Sequence, residues 1–559
     1  MKKNIFLFLL ILILGVFLRF YQLGKTPVSL EWDEVALGYD AYSILNTGKD
    51  QFGKLLPLTF RSLDDYKPPI YEYLTVLPVM FFGLNAFSVR FPSAFWGSVS
   101  IIFVYLLSQK IAENIPKLEN HKKKIGLLSA FLFAVSPWSL QFSRAAFEVN
   151  VSVLITIAAV YFFLCGISDR RKFILSAFLF GLDLFSYHST RVVSPLLLAS
   201  LFLLFNKKLP DRKTILSFIF LYLIFFIVFI PIVTSSDAQI RFKATNIFNP
   251  GARYLDEKDL PKLFLDNRLD DKTAGYELAG KLFHNQRLIY FDYDTLVKVA
   301  AKYISHFNFE FLFIKGDAPL HHAPGMGLLY LWELPFIIIG LIYILKYGFN
   351  RYSALLLIWL MIAPIPASVT REAPHAVRSE LFLPVYQIIA GIGILLIYQK
   401  IKEESWWVSA LFISLVTLLF MINNSYYLHQ YYVHTNYELS ANWLYGRKEA
   451  VEFTEDYKSH YDKVLVSMHV DMPYIFWLFY SKYSPQKYLA QGGTVSGGFA
   501  DERNHFDKYE FRNFNYNELD KSSKMLLVGI PSDFPPDAKV LLQINYLNGQ
   551  PAIKIAENK

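Results

Sequence analysis

The sequence predicts a polytopic α-helical membrane protein of about eleven transmembrane helices with a small α/β domain at its C-terminal end. Three observations carry that reading. Of 559 residues, 54% are hydrophobic and 18% charged, whereas a soluble chain carries about a quarter charged residues. The apolar residues come in blocks long enough to cross a bilayer, which takes about 20 residues of helix. From residue 423 onward the composition becomes that of an ordinary soluble protein.

The expected spans lie near 4–20, 91–109, 125–142, 149–167, 173–187, 192–206, 214–233, 327–345, 352–368, 380–398 and 405–422. The first follows Lys2-Lys3, lacks a small-x-small cleavage site and runs directly into Arg19-Phe20-Tyr21. It reads as an uncleaved span with its N-terminus in the cytoplasm. Segment 69–84 is apolar but short, and it contains Glu72 and Pro78. Charge decides how to treat it. If it does not cross, eighteen Lys and Arg fall in cytoplasmic segments, against four (Arg144, Arg191, Arg371, Arg378) in short outer loops. That is the asymmetry expected of membrane proteins; a crossing would invert it. Segment 69–84 is therefore expected to be an interfacial or re-entrant helix.

Two domains follow: residues 1–422 in an integral plasma-membrane domain, and 423–559 in a soluble extracytoplasmic α/β domain. In the latter, apolar runs at 464–467, 525–528, 540–543 and 552–555 read as strands, with helices around 441–458 and 472–482. The net charge of +8 sits in loops between apolar blocks, which argues against a nucleic-acid partner. The single cysteine, Cys165, excludes a disulfide framework or a Cys-based metal site within one chain.

This topology gathers five polar segments on one face: the first outer loop 21–90, then 143–150, 187–191, the long loop 234–326, and 368–379. A helix is expected from Asp33 to Asn46, stopped by Gly48. Asp33 and Glu34 in its first turn are open to two readings, an N-cap with a dipole-compensating acid or a general base for an attacking hydroxyl. Lys67, rigidly placed by Pro68-Pro69, suits a lipid phosphate, or snorkels at the headgroup level. Arg144 and Glu148, four residues apart, are expected to form an ion pair on one helical face, with a sugar contact as Glu148's alternative. Tyr187 and His188 sit at the membrane surface, and Arg191 beside them offers a fork of donors to phosphate oxygens. Arg371, His375 and Arg378 crowd one loop and form a positive patch suited to an anionic headgroup. His321 and His322 are neighbours and so do not face one another on a helix. With no third ligand at a recognisable spacing they call for no cofactor, and a divalent metal stays open.

In this order, the pieces resemble glycosyltransferase family 39, which includes protein O-mannosyltransferases and lipid A aminoarabinose transferases and has the GT-C fold. The matching features are Arg19-Phe20-Tyr21, Asp33-Glu34, Lys67-Pro68-Pro69, Arg90-Phe91-Pro92-Ser93-Ala94 and the Arg144/Glu148 loop. The resemblance covers roughly residues 1–400. It implies a polyprenyl-phosphate sugar donor, an extracytoplasmic site and inverting transfer to an acceptor hydroxyl on a protein, lipid or glycan. Asp33 would then be the catalytic base with Glu34 second, and Lys67 would lie near the donor phosphate. Glu148 stands where some relatives have Asp. Arg191, Arg371 and Arg378 are the further phosphate candidates; Arg144, Glu148, Tyr187, His188, His322 and His375 are the substrate candidates. The competing readings are a flippase or transporter of lipid-linked sugar and a ligase moving a whole glycan. Transporters place ionisable groups at mid-span, whereas here only Asp183 and Glu333 are so placed.

Overall fold

A computed structural model of the protein describes residues 2–62, 65–235, 245–247, 268–283, 293–495, 504–520 and 522–558. Much of the expected long loop 234–326 lies outside the described residues, as does Asp64. Among the described residues, eight helices are long and apolar enough to cross a membrane. They are Lys2–Phe20, Ala86–Ala112, Glu148–Gly166, Thr190–Lys208, Arg212–Thr234, Arg351–Ser368, Glu380–Glu403 and Trp406–Glu438. The pair Glu119–Val135 and Pro137–Arg144, bent by 53°, makes a ninth if it is counted as one broken span and otherwise a re-entrant loop. The bend falls at Ser136-Pro137, where Pro at the start of the second half cannot donate the hydrogen bond that would continue the first.

The two remaining expected spans, 173–187 and 327–345, correspond to shorter helices, Arg170–Asp183 and Leu334–Lys346. At 1.5 Å per residue each is about 20 Å long, less than the roughly 30 Å of hydrocarbon. Both are packed among longer neighbours. Leu334–Lys346 lies so close to the helix Val385–Glu404 that a Cβ on Gly393 would collide with the Phe336 carbonyl, and one on Gly340 with that of Ile389. Close backbone approach at small residues holds helices together where no hydrophobic effect can.

Segment 69–84 forms a 13-residue helix, Ile70–Phe82, which begins immediately after Pro68-Pro69. It is preceded by a short antiparallel hairpin, β1 (Phe60–Ser62) and β2 (Asp65–Lys67), in which Lys67 lies opposite Phe60.

The C-terminal region carries a six-stranded mixed sheet: β3 (Lys463–Val466), β4 (His505–Phe506), β5 (Tyr509–Phe511), β6 (Met525–Gly529), β7 (Lys539–Asn545) and β8 (Pro551–Glu557), in the order β4-β5-β3-β6-β8-β7. Strand β3 runs parallel to both its neighbours, β5 and β6, and the other pairings are antiparallel. The four expected strands are β3, β6, β7 and β8. Helices Arg447–Tyr457 and Pro473–Tyr480 occupy the expected helical stretches.

The sheet region is not separate from the first loop. Leu30, Val35, Tyr71, Phe476, Val466 and Leu526 belong to one buried cluster. The helix Trp32–Thr47 packs so tightly on Pro473–Tyr480 that a Cβ on Gly38 would lie 2.6 Å from the Phe479 ring and from Val89. Gln51 links the two: it donates through its backbone and side chain to Asp40, and its side-chain oxygen accepts from Tyr474 and Thr494.

Candidate active site

The helix Trp32–Thr47 starts with Glu31 as N-cap: the Glu31 carboxylate accepts from Asp33 N at 2.8 Å, and Glu34 reaches back to Glu31 N at 3.2 Å. Gly48 ends it at φ 72°, a left-handed conformation that glycine adopts without a Cβ penalty. Because Glu31 takes the capping role, the Asp33 carboxylate is left to another partner. It forms a 2.8 Å ion pair with Lys67 Nζ. Glu148 Oε1 approaches the same ammonium at 3.7 Å. Lys67 is 4% exposed, against 48% for the Asp33 side chain, so Asp33 is the member of the pair that an incoming molecule can reach. Burial opposes the lysine's charge, but Asp33, Glu148 and Glu31 outweigh it and hold the pKa well above its ordinary value. Burial, and then the Asp33 charge, push the Glu31 carboxyl well up. Glu72 on the helix Ile70–Phe82 is buried nearby, with Oε2 bonded to nothing among the described residues.

Glu34 faces the other way. Its two oxygens accept from Arg90 Nε and Nη2, both at 2.9 Å, and Oε1 also accepts from Ala146 N at 2.9 Å. Arg90 donates further to the Leu23, Pro27 and Ser29 carbonyls. The pair thus pins the loop helix to Ala86–Ala112 and to the 145–147 turn. The expected Arg144–Glu148 pair does not form. Arg144 is buried and donates to the Leu18, Arg19 and Thr26 carbonyls, beneath the Tyr431 and Tyr432 rings. It caps the C-terminal end of the first helix, where exposed carbonyls attract cations, and Glu148 turns to Lys67. Arg19 similarly joins the first span to the broken pair through Ala134 O, Ser139 and Ser143.

The remaining segments make contacts of their own, and no direct contact joins Arg371, His375, Arg378 or His322 to the Asp33–Lys67 pair among the described residues. In 187–191, Arg191 Nη1 lies 2.9 Å from His188 Nδ1, and its guanidinium covers the Phe229 ring. Phe229 packs in a cluster that also meets Ile70, three residues beyond Lys67. Tyr187 is buried beside His188. In 368–379, Arg378 donates to Thr370 at 2.8 Å and approaches Glu372, while Arg371 N donates to Thr245 O. His375 meets Asp317 and His321, whose atoms lie close enough to hold a metal ion. His322 stands apart with Nδ1 3.0 Å from Ala323 O and its ring against Gly316. Trp138 donates to Ala376 O and Gln141 to Leu320 O, which joins 137–144 to both of the later loops.

Among solved structures, the chain is similar to ArnT from Cupriavidus metallidurans bound to undecaprenyl phosphate (TM-score 0.52, 12% identity, 99% of this chain and 98% of that one). The apo form of the same protein gives a TM-score of 0.51 at 10% identity, over 99% and 97%. The Archaeoglobus fulgidus oligosaccharyltransferase tethered to an acceptor peptide gives 0.50 at 14%, over 85% of this chain and 62% of that one. At such identities the likeness is one of fold. No curated protein matches the sequence. Residues 66–234 match the family model for dolichyl-phosphate-mannose-protein mannosyltransferases. The family likeness in sequence is thus carried by residues 66–234, under half of the 559-residue chain.

The family match begins at Tyr66 and takes in Lys67-Pro68-Pro69, Arg90, Arg144, Glu148 and the Tyr187–Arg191 turn; Asp33 and Glu34 precede it. Sequence reasoning missed three things. It did not see Glu31 as the cap, although Glu31 stands three residues before Glu34 at capping-box spacing. It treated Arg90 only as part of a family resemblance. It did not join Asp317 to His321, a visible i, i+4 pair, because the third member, His375, lies in another loop.

Proposed function

We propose that the protein transfers a glycosyl residue from a polyprenyl-phosphate-linked sugar to an acceptor hydroxyl at the extracytoplasmic face of the membrane, with inversion at the anomeric carbon. The observation that carries this reading is the pairing of a half-exposed carboxylate, Asp33, with a buried ammonium, Lys67, at 2.8 Å. The acceptor oxygen attacks the anomeric carbon as the bond to the phosphate oxygen breaks. Asp33 takes the hydroxyl proton, and the departing phosphate keeps the bonding electrons. Its growing charge is met by Lys67, with Arg191, stacked on Phe229 in a cluster that also meets Ile70, as the candidate second cation. While no donor is bound, the ion pair neutralises both partners. A phosphate that draws Lys67 away frees Asp33 to act as base, so donor binding and base activation are coupled.

Glu148 competes with the phosphate for Lys67 and orients it, and Glu34 acts as a positioning residue through Arg90. The sheet region 447–557 belongs on the same side as the site, because it shares a core with the helix that carries Asp33. Asp183, which could have served a transporter at mid-span, is bonded by Thr156 and Ser186 and supports a packing role.

The test uses the full chain in detergent with a labelled polyprenyl-phosphate sugar and an acceptor-containing membrane extract. Asp33→Asn is expected to keep donor binding and lose transfer by about 10²–10⁴-fold; Lys67→Ala is expected to lose donor binding. Unchanged transfer by Asp33→Asn removes it as base, and donor moved between leaflets without being consumed would make the protein a flippase.

A further inference from the structure

Asp317, His321 and His375 form a second cluster that the sugar-transfer chemistry does not use. His321 Nδ1 lies 2.8 Å from Asp317 Oδ2, and His375 Nδ1 lies 3.9 Å from the same oxygen. The two imidazole rings are 5.0 Å apart, tilted by 35°. One ligand atom from each of the three residues can be chosen so that all lie within 4.8 Å of one another. In a tetrahedral site with metal–ligand bonds of about 2.1 Å, ligand atoms stand roughly 3.4 Å apart. The spacings from Oδ2, 2.8 and 3.9 Å, bracket that value.

A hydrogen-bonded Asp–His pair could be purely structural, and the Asp317 oxygens distinguish the two cases. Oδ2 is occupied: it accepts from Ala376 N at 2.8 Å and faces His321. Oδ1 is buried on a side chain only 10% exposed and has no hydrogen-bond partner among the described residues. A buried carboxylate oxygen without a donor is costly unless something positive completes it. His306 is placed as an orienting group. Its Nε2 accepts from His375 N at 3.2 Å while its Nδ1 lies 2.8 Å from Lys302 O, so its ring holds the His375 backbone and is not itself available as a ligand. Ligand-holding contacts of this kind are typical around metal sites.

We propose that Asp317, His321 and His375 bind one divalent first-row cation of the zinc type. Two imidazoles and one carboxylate favour such an ion over magnesium or calcium, which take oxygen ligands. Glu372 Oε2, 3.7 Å from His375 Nε2 and on an exposed side chain, or water fills the fourth position. The ion is a clasp, not a catalytic group. It ties the 317–321 segment to the loop that carries Arg371 and Arg378. His321 in turn packs against Phe142 and Phe147, and Phe147 precedes the Glu148 that faces Lys67. The site does not depend on the sugar-transfer reading, and its primary readout is metal content.

The test is elemental analysis of the untagged full chain in detergent, stripped with chelator, re-equilibrated with zinc and passed over a desalting column. About one zinc per chain is expected, with visible d–d absorption of a four- or five-coordinate ion when cobalt(II) replaces it. Asp317→Asn, His321→Ala and His375→Ala, each monodisperse by size exclusion, should weaken zinc binding by about 10–100-fold or more. His322→Ala, one residue away, should bind as the wild type does. His434→Ala controls for the surface group of His429, His434 and Glu438 and should also leave binding unchanged. Zinc at background in the wild type, or zinc retained by Asp317→Asn, overturns the proposal; so does loss of zinc with His434→Ala alone, which would mark it as adventitious.

Discussion

If Glu34 acts only through Arg90, then breaking their pair should reduce stability far more than it reduces turnover per folded molecule. Both side chains are buried, at 0% and 5% exposure, and they meet through two 2.9 Å bonds. Unit charges about 4 Å apart at an effective dielectric near 20 attract by about 4 kcal/mol, and removing one partner of a buried pair costs about 3–5 kcal/mol. The two single changes are not equivalent. Arg90→Met strands a buried carboxylate that keeps only the Ala146 and Glu31 amides, so it should cost the full 3–5 kcal/mol. Glu34→Gln leaves the guanidinium with three carbonyls and still offers an acceptor, so about 1–3 kcal/mol is expected. The double variant should fall short of the sum by about 1–3 kcal/mol, because the second change removes a group already left unpaired. Unfolding in mixed micelles with increasing dodecyl sulfate measures all four proteins. Turnover of folded Glu34→Gln should stay within about tenfold of wild type, against the 10²–10⁴-fold expected of a lost general base. A Glu34→Gln protein of normal stability with turnover reduced by about 10²-fold or more would put Glu34 in the chemistry and refute this reasoning.

The Lys67 pKa lies above its ordinary 10.5, so its contribution to stability is fully present below that value and is lost only as pH rises beyond it. The stability difference between wild type and Lys67→Met should therefore be flat from about pH 6 to about pH 9 in the same micelle titration; a difference that fades across that range would mean the pair is not charged as described. Gly38→Leu should cost about 1–3 kcal/mol by forcing Phe479 and Val89 aside, and limited proteolysis should then cleave the 447–495 region faster than in wild type. Gly393→Ala meets the Phe336 carbonyl, which no side-chain rotation can move, and should lower the yield of monodisperse protein more than Ala390→Gly, on the same helix, does.

Where a structural signal is local, the sequence shows it. The stop at Gly48, the start after Pro68-Pro69 and the strands β3, β6, β7 and β8 each depend on residues within a few positions of one another. The partners inside the site do not. Glu34 finds Arg90 and Ala146 at separations of 56 and 112 residues, and Arg144 finds Leu18 at 126. Span-to-span packing sets these distances, and no periodicity encodes them. The cations separate in the same way. In sequence, Lys67, Arg90 and Arg144 look alike, as basic residues at the edges of apolar blocks. A guanidinium in such a place can meet a ligand's phosphate or the bare carbonyls at a helix end, and it satisfies the same donors either way. Arg90 and Arg144 each lie among three backbone carbonyls, which fixes their planes and leaves an anion no approach to them. Lys67 is held by two carboxylates, one of them half exposed, and its ammonium can turn from one oxygen to another. A group held by exchangeable charged partners can be redirected by a ligand of the same charge; one held by backbone cannot. That difference makes Lys67 the cation to test first.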